Sequence, residues 1–316
     1  MDASDLLRNS LLQLSKQERI RDLVEKTPVS RSVVRRFVPG DQHTEVVGAA
    51  GEIAATGRLS TIDYLGEDTT DLAQAKQTRD AYLQLITALR DAGLTEGGTA
   101  EVSLKLSALG QALPGDGNKI ALELAHDICT LADLAGTTVT LDMEDHTTTD
   151  LTLEALRELR ADFPTLGAVL QSYLHRTEAD CRDLAGTGSR VRLCKGAYKE
   201  PESVAFQSRS DVDTSYVRCL KVLMQGDGYP MVATHDPRLI EIAGALAAKA
   251  GRAATSFEYQ MLYGIRPEEQ KRISDRGDQM RVYIPYGDDW YGYLMRRMAE
   301  KPANVMFFLR GLATRG

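Results

Sequence analysis

Charged and polar residues recur at the ends of short apolar runs in this 316-residue chain. Lys105 closes one run, Asp142 the next, Arg192 lies inside a third and Lys195 just past it. Gln171 ends another, and Thr234 with His235 ends a further one. Towards the C-terminus Arg296, Arg297 and Glu300 share a helical stretch, where residues three and four apart are neighbours, so Glu300 reaches either arginine. Each has a plain reading, because charges are rarely buried without a partner. Lys105 with Asp142 reads as a buried ion pair, the adjacent arginines as a solvated face, and His235 as a structural histidine. As a set they say more. Lys105, Arg192, Lys195, Arg296 and Arg297 outnumber Asp142 and Glu300, which predicts a locally cationic pocket for an anionic ligand. Paired arginines suit a carboxylate, whose two oxygens accept forked hydrogen bonds, and a phosphate fits as well. Tyr198, Tyr283, Trp290, Tyr291 and Tyr293 interleave with the charges and offer flat walls for a small ring or a cofactor.

Something must carry these residues to one place. Short runs rich in Val, Leu, Ile and Tyr stand at Leu59–Leu65, Glu101–Lys105, Thr138–Asp142, Ala168–Gln171, Arg190–Cys194, Met231–Thr234, Ser256–Gln260 and Met280–Ile284. Several are nearly continuous in apolar character, as strands covered on both faces are. Between and after them, apolar residues at three- and four-residue spacing predict helices over Asp71–Ala92, Asn118–Leu134, Leu151–Asp162, Glu178–Ala185, Asp211–Met224, Pro237–Ala250, Pro267–Ser274 and Asp288–Glu300. Pro237 and Pro267 suit first helical positions, where a missing N–H costs nothing. The alternation predicts a TIM-like (β/α)8 barrel, with a doubly wound open sheet as the alternative, because alternation alone does not prove closure. In a barrel the catalytic groups sit at the C-terminal ends of the strands, where nearly all the residues above fall. Residues 1–50 differ: LLRNSLLQL and VVRRFV read as short helices packed on or near a barrel domain spanning 51–316.

Composition narrows the classes of function. Lys plus Arg is 38 against 45 for Asp plus Glu, a net charge of -7 that argues against nucleic acid or an anionic membrane surface as partner. No apolar run approaches the ~18 residues of a transmembrane helix. The acidic start is neither a signal nor a transit peptide, which predicts a cytoplasmic protein. The four cysteines form no C-x-x-C pair and the five histidines no H-E-x-x-H, so reduced thiols and no metal site are expected. A phosphate-binding G-x-x-x-x-G-K-[ST] loop is missing, and Gly186-Thr-Gly188 precedes its strand and lacks the third glycine of a dinucleotide-binding turn. Any dinucleotide must be held another way.

Arg192-Leu-Cys-Lys195-Gly196-Ala197-Tyr198 is similar to the R-L-x-K-G-A-Y motif of the proline dehydrogenase family, one of seven ordered segments that resemble it. Tyr283-Ile-Pro-Tyr-Gly followed by Tyr293-Leu-Met-Arg296-Arg297-Met-Ala-Glu300 resembles its Y-x-P-x-G and Y-L-x-R-R-x-x-E ending. Ser103-Leu-Lys105-Leu-Ser-Ala-Leu, Leu141-Asp142-Met-Glu, Leu170-Gln171-Ser-Tyr, Ala233-Thr234-His235 and Glu258-Tyr-Gln-Met-Leu262 match further segments in order, over about residues 59–310. The resemblance implies a distorted (β/α)8 barrel that binds FAD without a Rossmann domain. It implies oxidation of L-proline to 1-pyrroline-5-carboxylate, by hydride transfer from the ring carbon beside nitrogen to flavin N5, with electrons passed to a membrane quinone through at most peripheral contact. It also implies the roles. Arg296 and Arg297 clamp the proline carboxylate and Glu300 pairs with them; Lys105 and Asp142 complete the polar side; Tyr283, Leu262 and Tyr198 line the ring. Arg192, Gln171, Lys195, Gly196, Ala197, Thr234 and His235, with the backbone at Met143, hold FAD, and Arg192 and Asp142 are the candidate catalytic groups. Cys194 and Lys199 depart from the family pattern, which usually has valine and in some members tryptophan there. The fused aldehyde dehydrogenase of some bacterial members is not expected, so a separate pyrroline-5-carboxylate dehydrogenase would take the product. Two rival functions stand beside this one: a Schiff-base aldolase using Lys105 or Lys195, and a non-catalytic carboxylate-binding module.

Overall fold

Strands buried on both faces need a cover of helices, and the chain supplies one after each strand. The computed structural model describes residues 34–300, with side chains through Met295. Helix α1 (His43–Ala54) leads into β1 (Leu59–Tyr64), followed by α2 (Leu72–Asp91), β2 (Ala100–Leu104), α3 (Gly117–Leu134), β3 (Val139–Leu141), α4 (Thr149–Leu159) and β4 (Gly167–Gln171). The second half runs α5 (Thr177–Asp183), β5 (Arg190–Cys194), α6 (Arg209–Gln225), β6 (Tyr229–Ala233), α7 (Pro237–Lys249), β7 (Glu258–Leu262), α8 (Pro267–Asp275), β8 (Met280–Tyr286) and α9 (Trp290–Glu300). All neighbouring strands pair in parallel and β8 returns to β1, with Thr61 opposite Tyr283, so the sheet is a closed eight-stranded barrel rather than an open one.

The helices begin where their caps dictate. Asp71 accepts from the N–H groups of Ala73 and Gln74, Ser208 from Asp211, and Asp236 from Arg238 with Pro237 behind it in the first turn. Helix α2 buries Ala75, Thr78, Tyr82, Leu85, Ile86 and Leu89, one stripe at three- and four-residue steps laid against the strands. The seventh strand lies two residues later than the apolar run predicts. Ser256 N–H closes a turn onto Ala253 O, while Leu262 stays in register with Tyr283 of β8. Helix α1 runs across residue 50, where the sequence divides an N-terminal segment from the barrel. Of that segment, LLRNSLLQL lies outside the described residues; Val34, Phe37 and Val38 pack on Leu65, Tyr291 and Leu294 beside α9.

Apolar packing fills the layer between strands and helices, but the inside of the barrel is polar. Glu101, Glu258, Arg192, Gln260 and Arg281 are all buried there. Arg190 Nη2 meets Glu101 at 2.6 Å and Arg281 Nε meets Glu258 at 2.8 Å, while Arg192 and Arg281 each stand 3.9 Å from Glu101. Burial alone would raise the Glu101 pKa; Arg190, Arg281 and Arg192 outweigh it and hold the carboxyl down at about 2. This floor of ion pairs carries the functional end above it.

Candidate active site

One cavity of about 1030 Å³ opens at the C-terminal end of the barrel. It is lined by Lys105, Asp142, Met143, Gln171, Arg192, Lys195, Gly196, Ala197, Tyr198, Thr234, His235, Leu262, Tyr283 and Tyr293, all expected from the sequence, whereas Trp290 and Tyr291, expected as further walls, pack instead in the apolar cluster with Val34, Phe37 and Val38. The side chains of Arg296, Arg297 and Glu300 lie outside the described residues.

Arg192 is the centre. It projects from β5 and is only 4% exposed. Nη1 donates to Asp142 Oδ1 at 2.5 Å and to Ser103 Oγ at 3.0 Å, and Nε donates to Gln260 Oε1 at 2.6 Å. Its guanidinium carbon sits 5.2 Å from the centre of the Tyr283 ring, a cation–π distance. The Tyr283 hydroxyl donates to the other oxygen of Asp142 at 2.8 Å. Asp142 therefore orients both its neighbours. Burial works against the charge on Arg192, but Asp142 and the surrounding acids raise its pKa above the usual value.

Lys105 does not pair with Asp142. Its Nζ lies 2.8 and 3.0 Å from the two oxygens of Asp63, which β1 brings alongside β2. Asp142 follows the short β3 and leans instead towards Arg192 across the barrel mouth. Burial raises the Asp63 pKa and Lys105 opposes it; on Lys105 burial is outweighed by Asp63 and Asp142, so its pKa stands above the ordinary one. The expected excess of cations rests on Arg296 and Arg297, whose side chains lie outside the described residues. Among the described lining residues, Asp63, Glu67, Asp142, Asp213 and Asp236 match Lys105, Arg192, Lys195, Arg209 and Arg238 one for one. Of these cations Lys105 and Arg192 are buried, and each finds its acid, Asp63 or Asp142, on or just past a different strand.

At the rim Lys195 Nζ contacts Asp213 at 2.5 Å and Asp236 at 3.4 Å, and Arg238 reaches the same two carboxylates at 3.0 Å each. Hydrogen bonding from Arg238 holds Asp236 down at about 2. Gln171 Nε2 donates to the carbonyl of Glu144 at 2.7 Å, and Ser107 in turn binds the Glu144 carboxylate. The Leu262 N–H donates to His235 Nε2 at 3.0 Å, which leaves the ring proton on Nδ1 and ties a proposed cofactor residue to a proposed substrate residue. Gly196 has φ 112°, and a Cβ there would stand 2.4 Å from the Tyr173 ring, so only glycine lets the loop lie down on that tyrosine. Tyr173 Oη donates to Glu200, which also receives the His146 N–H and pairs with its ring. Cys194 lines the cavity, but burial pushes its thiol up to about 11, so it is no nucleophile at neutral pH.

Sequence reasoning missed Asp63, Glu144, Asp213, Asp236 and Gln260. Asp236 had a signal, the residue before a helix-starting proline. Asp63 and Gln260 sit inside runs whose alternation looks like an ordinary strand.

Comparison with known proteins places this geometry. The family model described as Proline dehydrogenase matches residues 46–310. The chain is 38% identical to proline dehydrogenase 1 of Bacillus subtilis (strain 168), over 97% of this chain and 99% of that one. It is 36% identical to the proline dehydrogenase of Deinococcus radiodurans, over 97% and 98%. Among solved structures, proline utilization A from Bdellovibrio bacteriovorus inactivated by N-propargylglycine superposes with a TM-score of 0.78 at 26% identity. That match covers 86% of this chain, which spans only 33% of the larger protein.

Proposed function

This chain belongs to the proline dehydrogenase family, oxidoreductases of proline catabolism, and we propose that it converts L-proline to 1-pyrroline-5-carboxylate with FAD as first electron acceptor and a quinone as the next. The observation that carries the reading is the buried Arg192 cation at the floor of a cavity of about 1030 Å³.

The lining suits FAD. Val169, Met143, Met261 and Leu262 form apolar walls for a flat ring, Arg192 closes the deep end, and Lys195, Arg209 and Arg238 supply cations at the rim for phosphates. Gln171, Lys195, Gly196, Ala197, Thr234 and His235, with the Met143 backbone, are the residues proposed to hold it. When bound, FAD supplies the two-electron acceptor for the hydride lost from the ring carbon beside nitrogen. The chain does the rest. Arg296 and Arg297, with Glu300 as their counter-ion, grip the carboxylate, which fixes the ring in one attitude. Tyr283, Leu262 and Tyr198 cover the pyrrolidine, and Lys105 with its partner Asp63 forms the polar wall. Arg192 would place positive charge beside the bound flavin and stabilise the negative charge it gains, which lowers the barrier. Asp142 has both oxygens engaged, so its part is to orient Arg192 and the Tyr283 hydroxyl. The ring ammonium first gives one proton to solvent, which frees the nitrogen lone pair; as the hydride leaves, that lone pair closes the C=N bond and leaves a protonated imine.

The Schiff-base reading loses support from the same geometry. An amine nucleophile must be neutral, whereas Lys105 is locked on Asp63 with a raised pKa and Lys195 on Asp213 and Asp236. The quinone, and a separate pyrroline-5-carboxylate dehydrogenase consuming the product, follow from the family chemistry. The reading keeps the protein cytoplasmic, with peripheral contact at the inner face of the membrane; no described helix is long and apolar enough to cross one. The test is direct: purified protein loaded with FAD should lose its flavin absorption on adding L-proline without oxygen. A protein that stays colourless after FAD incubation, but traps substrate on a lysine with borohydride, would overturn it in favour of the aldolase.

Tyr283 should set ring specificity. Its bulk over the pyrrolidine leaves no room for a 4-hydroxyl, so Tyr283→Ser is expected to narrow the kcat/KM ratio of proline over 4-hydroxyproline by about 10-fold or more. Activity on proline itself should drop, because the Asp142 hydrogen bond and the ring beneath Arg192 go together. An unchanged ratio would remove Tyr283 from the substrate wall.

A further inference from the structure

We infer that Gln260, which lies in a segment matched to the family but was given no role there, is a positioning residue that sets the orientation and effective charge of Arg192. The inference rests on the reading of Arg192 as the cation facing the flavin.

Gln260 is 3% exposed on β7, and its amide has a different partner at each end. Oε1 accepts from Arg192 Nε at 2.6 Å, and Nε2 donates to Glu258 Oε1 at 2.5 Å. The same Glu258 oxygen accepts from Arg281 Nε at 2.8 Å, and Arg281 Nη1 donates to the carbonyls of Ser60 and Gly98. A line of buried polar contacts thus runs from the backbone at the closed end of the barrel to the guanidinium at the open end. The amide cannot turn over, because a flip would set NH₂ against guanidinium and oxygen against carboxylate. With Asp142 holding Nη1 and Gln260 holding Nε, two edges of the planar guanidinium are fixed and its face is kept over Tyr283. Gln260 is also neutral. A carboxylate there would give Arg192 a second close counter-ion, cancel the positive potential at the cavity floor, and face Glu258 at hydrogen-bond distance.

The experiment uses the full chain loaded with FAD and measures kcat and KM for proline, FAD per chain, and the flavin midpoint potential. Gln260→Leu should lower kcat about 10- to 100-fold, the usual cost of releasing the outer partner of a functional group, with KM within about 3-fold. Its midpoint potential should fall, because a wandering cation stabilises reduced flavin less. Gln260→Glu should lower the potential further. Combining Gln260→Glu with Glu258→Gln restores a donor beneath an acceptor and should recover kcat at least about 5-fold over Gln260→Glu alone, less than a full release costs. A wild-type protein that proline does not reduce overturns the functional reading itself. A wild type that is reduced, beside a Gln260→Leu variant with wild-type kcat and potential, overturns only this inference. Where the leucine variant fails to fold, Gln260→Glu decides: wild-type kcat and midpoint potential in that variant overturn it equally.

Discussion

Arg192→Met is expected to lower kcat for proline by about 10²–10³-fold, the range seen when one preorganised donor is removed from a developing anion. Methionine fills the same length of barrel interior, so the change is electrical rather than volumetric. The wild-type cation needs no rearrangement to meet the charge, because Asp142, Ser103 and Gln260 hold it in place. KM should change far less, since the proposed carboxylate clamp belongs to Arg296 and Arg297. The substitution also strands Asp142 and Gln260, so the protein should lose stability, by about 3–5 kcal/mol if no water relieves Asp142. Arg192→Lys separates the two effects. It keeps a positive charge against Asp142 but cannot reach Gln260 with the same fork, so most of the stability should return and only part of the rate. Steady-state kinetics, FAD content and thermal unfolding on the three proteins check this. A methionine variant with normal kcat and normal flavin content would take Arg192 out of the mechanism.

That Arg192 could be picked out at all follows from where charges can live. A guanidinium inside an apolar run is costly unless the fold uses it, so Arg192, Lys105 and Asp142 stand out in the primary structure, and the strands that carry them were legible from their continuous apolar character. Apolar spacing and prolines made the helices legible too; Pro237 and Pro267 both stand in the first turn of real helices. Closure was not legible, because nothing local says that β8 returns to β1. The pairing of charges was hidden for the same reason. Lys105 is 42 residues from Asp63, and Arg192 is 68 from Gln260. Which acid meets which base depends on the stagger of strands around the barrel, and motif spacing carries no information on it. Asp213 was hidden differently: on α6 it reads as part of a solvated helix face, yet it turns to the cavity rim and takes both Lys195 and Arg238.

The same hidden pairing sets the largest stability effect. Glu101→Gln is expected to cost about 3–5 kcal/mol, although the side chains have nearly the same shape, because it removes an anion from among buried arginines. Glu101 has no exposed surface; Oε2 meets Arg190 at 2.6 Å and accepts from Thr138 at 2.7 Å, while Arg281 and Arg192 stand 3.9 Å from Oε1. Without the carboxylate those guanidinium groups repel one another where water cannot screen them. The pH dependence gives an independent reading. With a folded pKa depressed to about 2, Glu101 contributes stability that is complete above the unfolded carboxyl value of about 4.3. That contribution erodes as pH falls below about 4.3 and is gone once pH passes below about 2. Wild type should therefore lose its advantage over Glu101→Gln across that window, and the two acid-unfolding curves should converge at its lower end. At pH 7 the variant should melt on the order of 10 °C lower, whereas Glu178→Gln, on an exposed helical pair with Arg182, should shift stability by less than about 1 kcal/mol. Equal melting of Glu101→Gln and wild type would mean that water reaches the barrel floor. Activity below the melting range should stay within about 10-fold of wild type, because Arg192 keeps its three close partners, Asp142, Ser103 and Gln260, and loses only a distant one. The barrel floor then governs whether the site exists, and Asp142 and Gln260 govern how it works.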